Sequence, residues 1–121
     1  MRIIMVKITN IIDFKKKFAN KIGDYRRRDK VLLEKYPELN ENSKTLLLSE
    51  GIRMIDELET DICVECNCNI LFQEYNMWCF YQFSFDRIDN KKIHSIDNLR
   101  IICWGCNSYP NEPKRCKYCF H

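Results

Sequence analysis

Three cysteine pairs, Cys63-Val-Glu-Cys66, Cys103-Trp-Gly-Cys106 and Cys116-Lys-Tyr-Cys119, each separate two thiols by two residues. That spacing lets both sulfurs of a pair converge on one tetrahedral ion while the amides of the turn face the thiolates. Cys63, Cys66, Cys103 and Cys106, with thirty-six residues between the two pairs, predict a four-thiolate structural zinc site. Cys116 and Cys119 either stay free at the tail or hold a second zinc with Cys68, Cys79 or His121. Ordinary buried cysteines and a disulfide framework are the competing readings. The opening MRIIMVKITN carries no sustained apolar stretch and no small-residue cleavage site, so no secretory signal is expected. The expected setting is therefore a reducing intracellular one (cytoplasm, host nucleus or virion), where eight cysteines are best explained as metal ligands. A thioredoxin-like redox role lacks its βαβ pattern.

Between the two pairs, the aromatic run Met77 to Phe85 reads as a strand. Asp89-Asn90-Lys91-Lys92 is turn chemistry, and Leu99 to Ile102 reads as a short strand feeding the second pair. A helix opening near Cys106-Asn107 is kept short by Pro110 and Pro113. Trp78, Phe80, Tyr81, Phe83 and Phe85 read as core rather than as a platform for stacked bases, with Trp104 the exposed exception.

The order CxxC, Asp86-Arg-Ile-Asp-Asn90, Asp97-Asn-Leu-Arg-Ile-Ile102 and CxxC-Asn107 resembles the HNH, or His-Me finger, endonucleases, in the zinc-stapled branch found in phages and large DNA viruses. The resemblance spans about residues 62 to 110 and implies a treble-clef, ββα-metal module. It implies a structural zinc on Cys63, Cys66, Cys103 and Cys106, and a catalytic Mg²⁺ or Mn²⁺ on Asp86 and Asn107, whose hard oxygens suit such an ion. Asn98 would brace the loop, and Asp89 would be a second metal ligand or a turn cap. Arg87 stands where the family places its general-base histidine. A guanidinium stays protonated near neutral pH, so Arg87 would clamp a phosphate instead. His94, seven residues on, is either a surface or loop histidine or the substitute base.

These residues must be positioned by a preceding segment of different composition. Residues 2 to 35 hold eleven basic and four acidic side chains, residues 36 to 61 two and seven, and residues 62 to 121 seven and six. All cysteines lie from Cys63 onward, which marks residues 1 to 61 as a helical region and 62 to 121 as the cysteine-rich module. Ile11, Phe14, Phe18, Ile22, Tyr25, Leu32 and Tyr36 recur at helical spacing, with Asn10 as N-cap and Pro37 as the stop. A second helix is expected from Ser43 to about Glu59, its apolar side Leu47, Met54, Ile55, Leu58 and Ile62. The expected class is α+β, an N-terminal helical hairpin joined to the small zinc module.

Lys15, Lys16 and Lys17 and then Arg26, Arg27 and Arg28 fall on overlapping helix faces. They form either a solvated face or a stripe that contacts nucleic-acid phosphates. No run of eighteen apolar residues is present, so no membrane partner is expected. Three functions compete: a metal-dependent DNA endonuclease of variant HNH type, a zinc module that binds nucleic acid without cleaving it, and an adaptor whose helical hairpin docks a protein or a second copy.

Overall fold

The computed structural model describes residues 11–39, 44–72 and 79–108. Helix α1 spans Ile11–Lys35, and Pro37–Leu39 forms a 3-10 turn. Helix α2 spans Leu48–Glu57, strand β1 Phe83–Arg87, strand β2 Leu99–Cys103 and the short helix α3 Trp104–Ser108, with a 3-10 turn at Ile96–Asn98 before β2. The class is mixed helix plus a small two-stranded antiparallel sheet. No described helix is long and apolar enough to cross a membrane. Asn10, Ser43, Met77, Trp78, Cys116, Cys119 and His121 lie outside the described residues.

Helix α1 buries Phe14, Phe18, Ile22 and Tyr25, then Asp29, one turn further along the same face. The expected stripe thus holds in its middle, while Ile11 and Tyr36 at its ends are exposed. Phe14 and Phe18 meet Phe83 at ring-centroid distances of 5.4 and 5.6 Å, and Phe18 meets Phe85 at 5.4 Å. Such tilted and offset ring pairs add to the free energy of burial. One buried cluster therefore runs from α1 through β1 and β2 to Cys63, Cys103 and Cys106, crossing the compositional boundary near residue 61.

Helix α2 is shorter than its sequence suggests, and the tertiary contacts of residues 44 to 47 explain why. Thr45 Oγ1 donates to Asp29 Oδ2 at 2.6 Å, and Leu46 N donates to the His94 carbonyl at 2.7 Å. The segment is thereby held extended and starts its helix only at Leu48. There Glu50 Oε1, at the third helical position, reaches back to accept the N–H of the N-cap residue Leu47 at 2.9 Å, one half of a capping box. Leu46 is completely buried, whereas Leu47, expected on the apolar side, is half exposed. Ile62 is likewise exposed at 40%.

In the sheet, Phe83 pairs with Cys103, Phe85 with Ile101 and Asp86 with Arg100. Alternation along β1 turns Phe83 and Phe85 to the α1 side and Ser84 and Asp86 to the other. The strand begins six residues later than the start of the aromatic run that predicted it, at Phe83. Before it, Leu71 N donates to the Tyr81 carbonyl at 2.8 Å and Phe83 N to the Leu71 carbonyl at 3.0 Å. The Gln82 carbonyl takes the Trp104 N–H at 2.6 Å and the Phe80 carbonyl the Gly105 N–H at 2.8 Å, which seats the start of α3.

The approach of α2 to α1 depends on Gly51. A Cβ at this position would lie 2.8 Å from Phe18 Cε1 and 3.3 Å from Leu46 Cδ2, both inside the core. Gly51→Ala is therefore expected to destabilise the fold by about 1–3 kcal/mol despite its better helix propensity. Urea unfolding of the two proteins measures the difference; equal or higher stability of the alanine variant would refute this packing.

Candidate metal centre and its surroundings

The first cysteine pair sits in a tight hairpin. Cys63 N donates to the Cys68 carbonyl at 2.9 Å, Asn67 N to the Cys63 carbonyl at 2.8 Å, and Ile70 N to the Asp61 carbonyl at 2.6 Å. Asn67, with φ of 62°, supplies the left-handed residue that reverses the chain after Cys66. Asparagine tolerates that region better than most side chains. The second pair sits where β2 becomes α3, so Cys103 closes the strand and Cys106 lies within the short helix.

The Sγ atoms of Cys63, Cys66, Cys103 and Cys106 all lie within 4.8 Å of one another. Cys63 and Cys106 are 3.9 Å apart and Cys66 and Cys103 3.6 Å. A tetrahedral ion with metal–sulfur bonds of about 2.3 Å requires sulfur separations of about 3.8 Å, so the cluster has the size of such a site. Backbone amides also point in: Cys106 N is 3.4 Å from Cys103 Sγ, and Cys103 N is 3.5 Å from Cys63 Sγ. The donor set is soft, and it can hold a metal ion such as zinc.

The thiols are electrostatically linked. Burial opposes ionisation of Cys66, but hydrogen bonds from Cys68, Cys106 and Cys103 outweigh it and bring the thiol down to about 7. Burial pushes the Cys106 thiol up, as do its neighbours Cys103 and Cys66. Cys103 is raised mainly by burial. Cys68, raised by burial and by Cys66, has its sulfur 3.1 Å from Cys66 Sγ. Charge crowding thus resists multiple thiolates until a cation neutralises them, so metal uptake must release protons. Cys79 is buried and disulfide-bonded, which sets it apart from the free thiols of this cluster.

The surrounding polar residues separate into a group on the strands and a group in the loop between them. Asp86 Oδ2 accepts from Arg100 Nε at 2.8 Å, and Arg100 Nη1 reaches Glu65 Oε1, between the first two cysteines, at 2.7 Å. Asn107 Nδ2 donates to Ser84 Oγ at 2.6 Å and lies 3.4 Å from the Phe85 carbonyl. Since Ser84 and Asp86 alternate onto one face, Asp86 and Asn107 flank the same strip of β1. Arg87 Nη1 donates to the Lys92 carbonyl at 3.2 Å across the loop. Asn98 closes that loop: Nδ2 donates to the Asp89 and Ile93 carbonyls at 2.9 Å each, and Oδ1 accepts the Asp89 N–H at 2.9 Å. The Asp89 carboxylate accepts the Lys91 N–H at 2.9 Å, a side-chain turn.

His94 lies in the loop between the strands but not at the surface: it is buried at 4% exposure and faces α1. Its Nδ1 lies 2.7 Å from Asp29 Oδ1, its backbone N–H meets both Asp29 oxygens at 3.0 and 3.1 Å, and its ring stacks on Tyr25 at 4.3 Å. The correction has a simple cause: a buried carboxylate on α1 must be satisfied, and His94 and Thr45 satisfy it. Burial opposes ionisation of Asp29, yet the bonds from His94 and Thr45 outweigh it and hold the carboxyl below its ordinary value.

Lys15, Lys16, Lys17, Arg26, Arg27 and Arg28 are all exposed on α1. Asp13 pairs with Lys17 at 3.1 Å, and Asp24 pairs with Arg27 at 2.7 Å and Arg28 at 3.6 Å. Trp104 is half buried, its ring against Phe80 at 5.6 Å. Asp29, Arg100, Glu65 and the placement of Cys68 were missed by sequence reasoning. For Asp29 the signal was present: it continues the 14, 18, 22, 25 series by four residues, a charge on an otherwise apolar stripe. Comparison of the chain with protein-family models, characterised proteins and solved structures finds no match.

Two outcomes follow from this geometry. One equivalent of metal is expected to bind the cluster, and its removal by a chelator should cost several kcal/mol of stability, about 5 or more, with β1, β2 and α3 losing amide protection first. Metal titration followed by hydrogen exchange reads this directly; unchanged protection in metal-free protein would refute it. For Asp29→Asn, loss of the paired buried carboxylate should cost about 3–5 kcal/mol near neutral pH. The folded pKa of Asp29 lies below the ordinary 3.8, so its contribution is complete above that value and is lost as pH falls through the lowered one. The stability gap between wild type and Asp29→Asn should accordingly narrow in acid, as measured by urea unfolding across pH.

Proposed function

We propose that this protein is a zinc-stapled, HNH-like nucleic-acid-binding protein, its hairpin, sheet and α3 forming a treble-clef, ββα-metal module. The observation that carries the reading is the convergence of Cys63, Cys66, Cys103 and Cys106 at the base of β1 and β2, with Asp86 and Asn107 against one face of the same sheet. Zinc is the ion that four thiolates at tetrahedral separation select, and it would act as a structural staple with no role in bond breaking. The exposed basic clusters of α1 would supply phosphate contacts. Lys15, Lys16 and Arg26 carry this proposal most directly, since Lys17, Arg27 and Arg28 each have an acidic neighbour on the helix.

Binding without cleavage is the better-supported form. Asp86 is occupied by the permanent cation Arg100, and Arg87 cannot serve as a base. His94, the one histidine among the described residues, is committed to Asp29. The second reading, a metal-dependent DNA endonuclease of variant type, draws on the shared placement of Asp86 and Asn107, whose oxygens suit Mg²⁺ or Mn²⁺. In that reading the ion would stabilise charge on the scissile phosphate, and Arg87 or Arg100 would hold a neighbouring phosphate oxygen.

The test is fluorescence anisotropy on labelled duplex DNA with zinc-loaded protein. Affinity should fall about 100-fold between 50 and 200 mM salt if about four phosphates are neutralised. Lys15→Glu/Lys16→Glu/Arg26→Glu should weaken binding at least tenfold and flatten the salt slope. Salt-independent or absent binding to both DNA and RNA would overturn the proposal. A supercoiled-plasmid nicking assay with Mg²⁺, Mn²⁺ or EDTA, beside Asp86→Ala, decides between the two readings.

A further inference from the structure

Five free thiols rather than four gather at the metal centre. Besides the tetrahedral set, Cys68 brings its Sγ to 3.1 Å from Cys66 Sγ. The local backbone makes this encounter part of the hairpin. Asn67 at φ of 62° turns the chain so that residues 66 and 68 present their sulfurs on the same side. The hydrogen bond from Cys63 N to the Cys68 carbonyl at 2.9 Å anchors Cys68 opposite the first ligand. Cys68 is only half buried, like Cys66, whereas Cys63, Cys103 and Cys106 are buried.

The separation of 3.1 Å is shorter than the roughly 3.8 Å between ligands of one tetrahedral ion, so Cys66 and Cys68 compete for a single vertex. A change of one side-chain rotamer carries a cysteine sulfur roughly 3 Å, which is the displacement Cys68 needs to reach that vertex. We infer that Cys68 is an alternate ligand of the metal centre, exchanging with Cys66 at the solvent-facing vertex while Cys63, Cys103 and Cys106 hold the ion. In the exchange, the Cys68 thiol gives its proton to water as its sulfur bonds the metal, and the departing Cys66 thiolate takes one up. Charge and ligand number are conserved. The centre can thus hand its ion to an incoming thiol or chelator by stepwise substitution on this one edge.

The inference rests on the cluster holding a metal, which the wild type tests independently: it must bind one Co²⁺ with a tetrahedral thiolate spectrum. If wild type binds none, the metal reading itself fails. Given that binding, Cys66→Ser is expected to retain one Co²⁺ with the four-thiolate charge-transfer intensity and less than a tenfold loss of affinity. Cys66→Ser/Cys68→Ser should drop to a three-thiolate spectrum and lose at least a further tenfold. Pulse alkylation read by mass spectrometry identifies the thiol responsible. Cys68 should label rapidly in the zinc-loaded wild type and become protected in zinc-loaded Cys66→Ser. A Cys66→Ser protein that binds no metal, or that binds with three thiolates while Cys68 remains labelled, would overturn the inference. A Cys68→Ser variant, which leaves the four primary ligands in place, should transfer zinc to a chelator at least threefold more slowly than wild type; an unchanged rate counts equally against the exchange.

Discussion

Four sulfurs drawn within 4.8 Å of one another impose the constraint on which the C-terminal half depends. The sheet has two strands of five residues each, and a two-stranded ribbon is marginal on its own. The cluster joins the hairpin around Cys63 and Cys66 to the end of β2 and the start of α3. That junction fixes which end of the ribbon is closed. A metal there would contribute its binding free energy to folding directly, because no preformed site exists in the unfolded chain.

The other face of the ribbon is held by the N-terminal helix. Phe14 and Phe18 cover Phe83 and Phe85, and Asp29 ties α1 to the loop carrying His94 and to Thr45. The loop between the strands is therefore fastened at two levels: internally by Asn98, and to the body of the protein by His94. Arg87 and Asp89 are oriented by that loop, and Asp86 by the Arg100 bridge to Glu65 in the hairpin. Asp86 is thus linked through Arg100 to the cysteine hairpin, and the loop between the strands is linked through His94 to α1. Helix α1 has a dual place in this scheme, since its apolar stripe forms the core while its exposed lysines and arginines face outward.

Much of this was legible in the residue pattern. The two CxxC pairs identified the four converging thiols because that spacing has few uses, and the 14, 18, 22, 25 series located the buried face of α1. The turn at Asp89 to Lys92 and the strand from Leu99 followed from local chemistry as well. Cys116 and Cys119 lie outside the described residues, as does the proposed partner His121. Helix α2 shows where local reasoning stops. Its start is decided by the engagement of Thr45 and Leu46 with Asp29 and the His94 carbonyl, partners sixteen and forty-eight residues away.

By itself, the sequence determined the elements whose signals are local: helical periodicity, turn chemistry and paired thiols two residues apart. The tertiary structure alone decided the pairings made across long separations. It set His94 against Asp29, sixty-five residues away, in the interior instead of at a surface site. It also set Arg100 on Asp86, directly across the ribbon, and on Glu65, thirty-five residues away. The physical reason is that a charge or thiol has no fixed role in the chain; its role comes from the partner that burial and strand register bring within hydrogen-bonding distance.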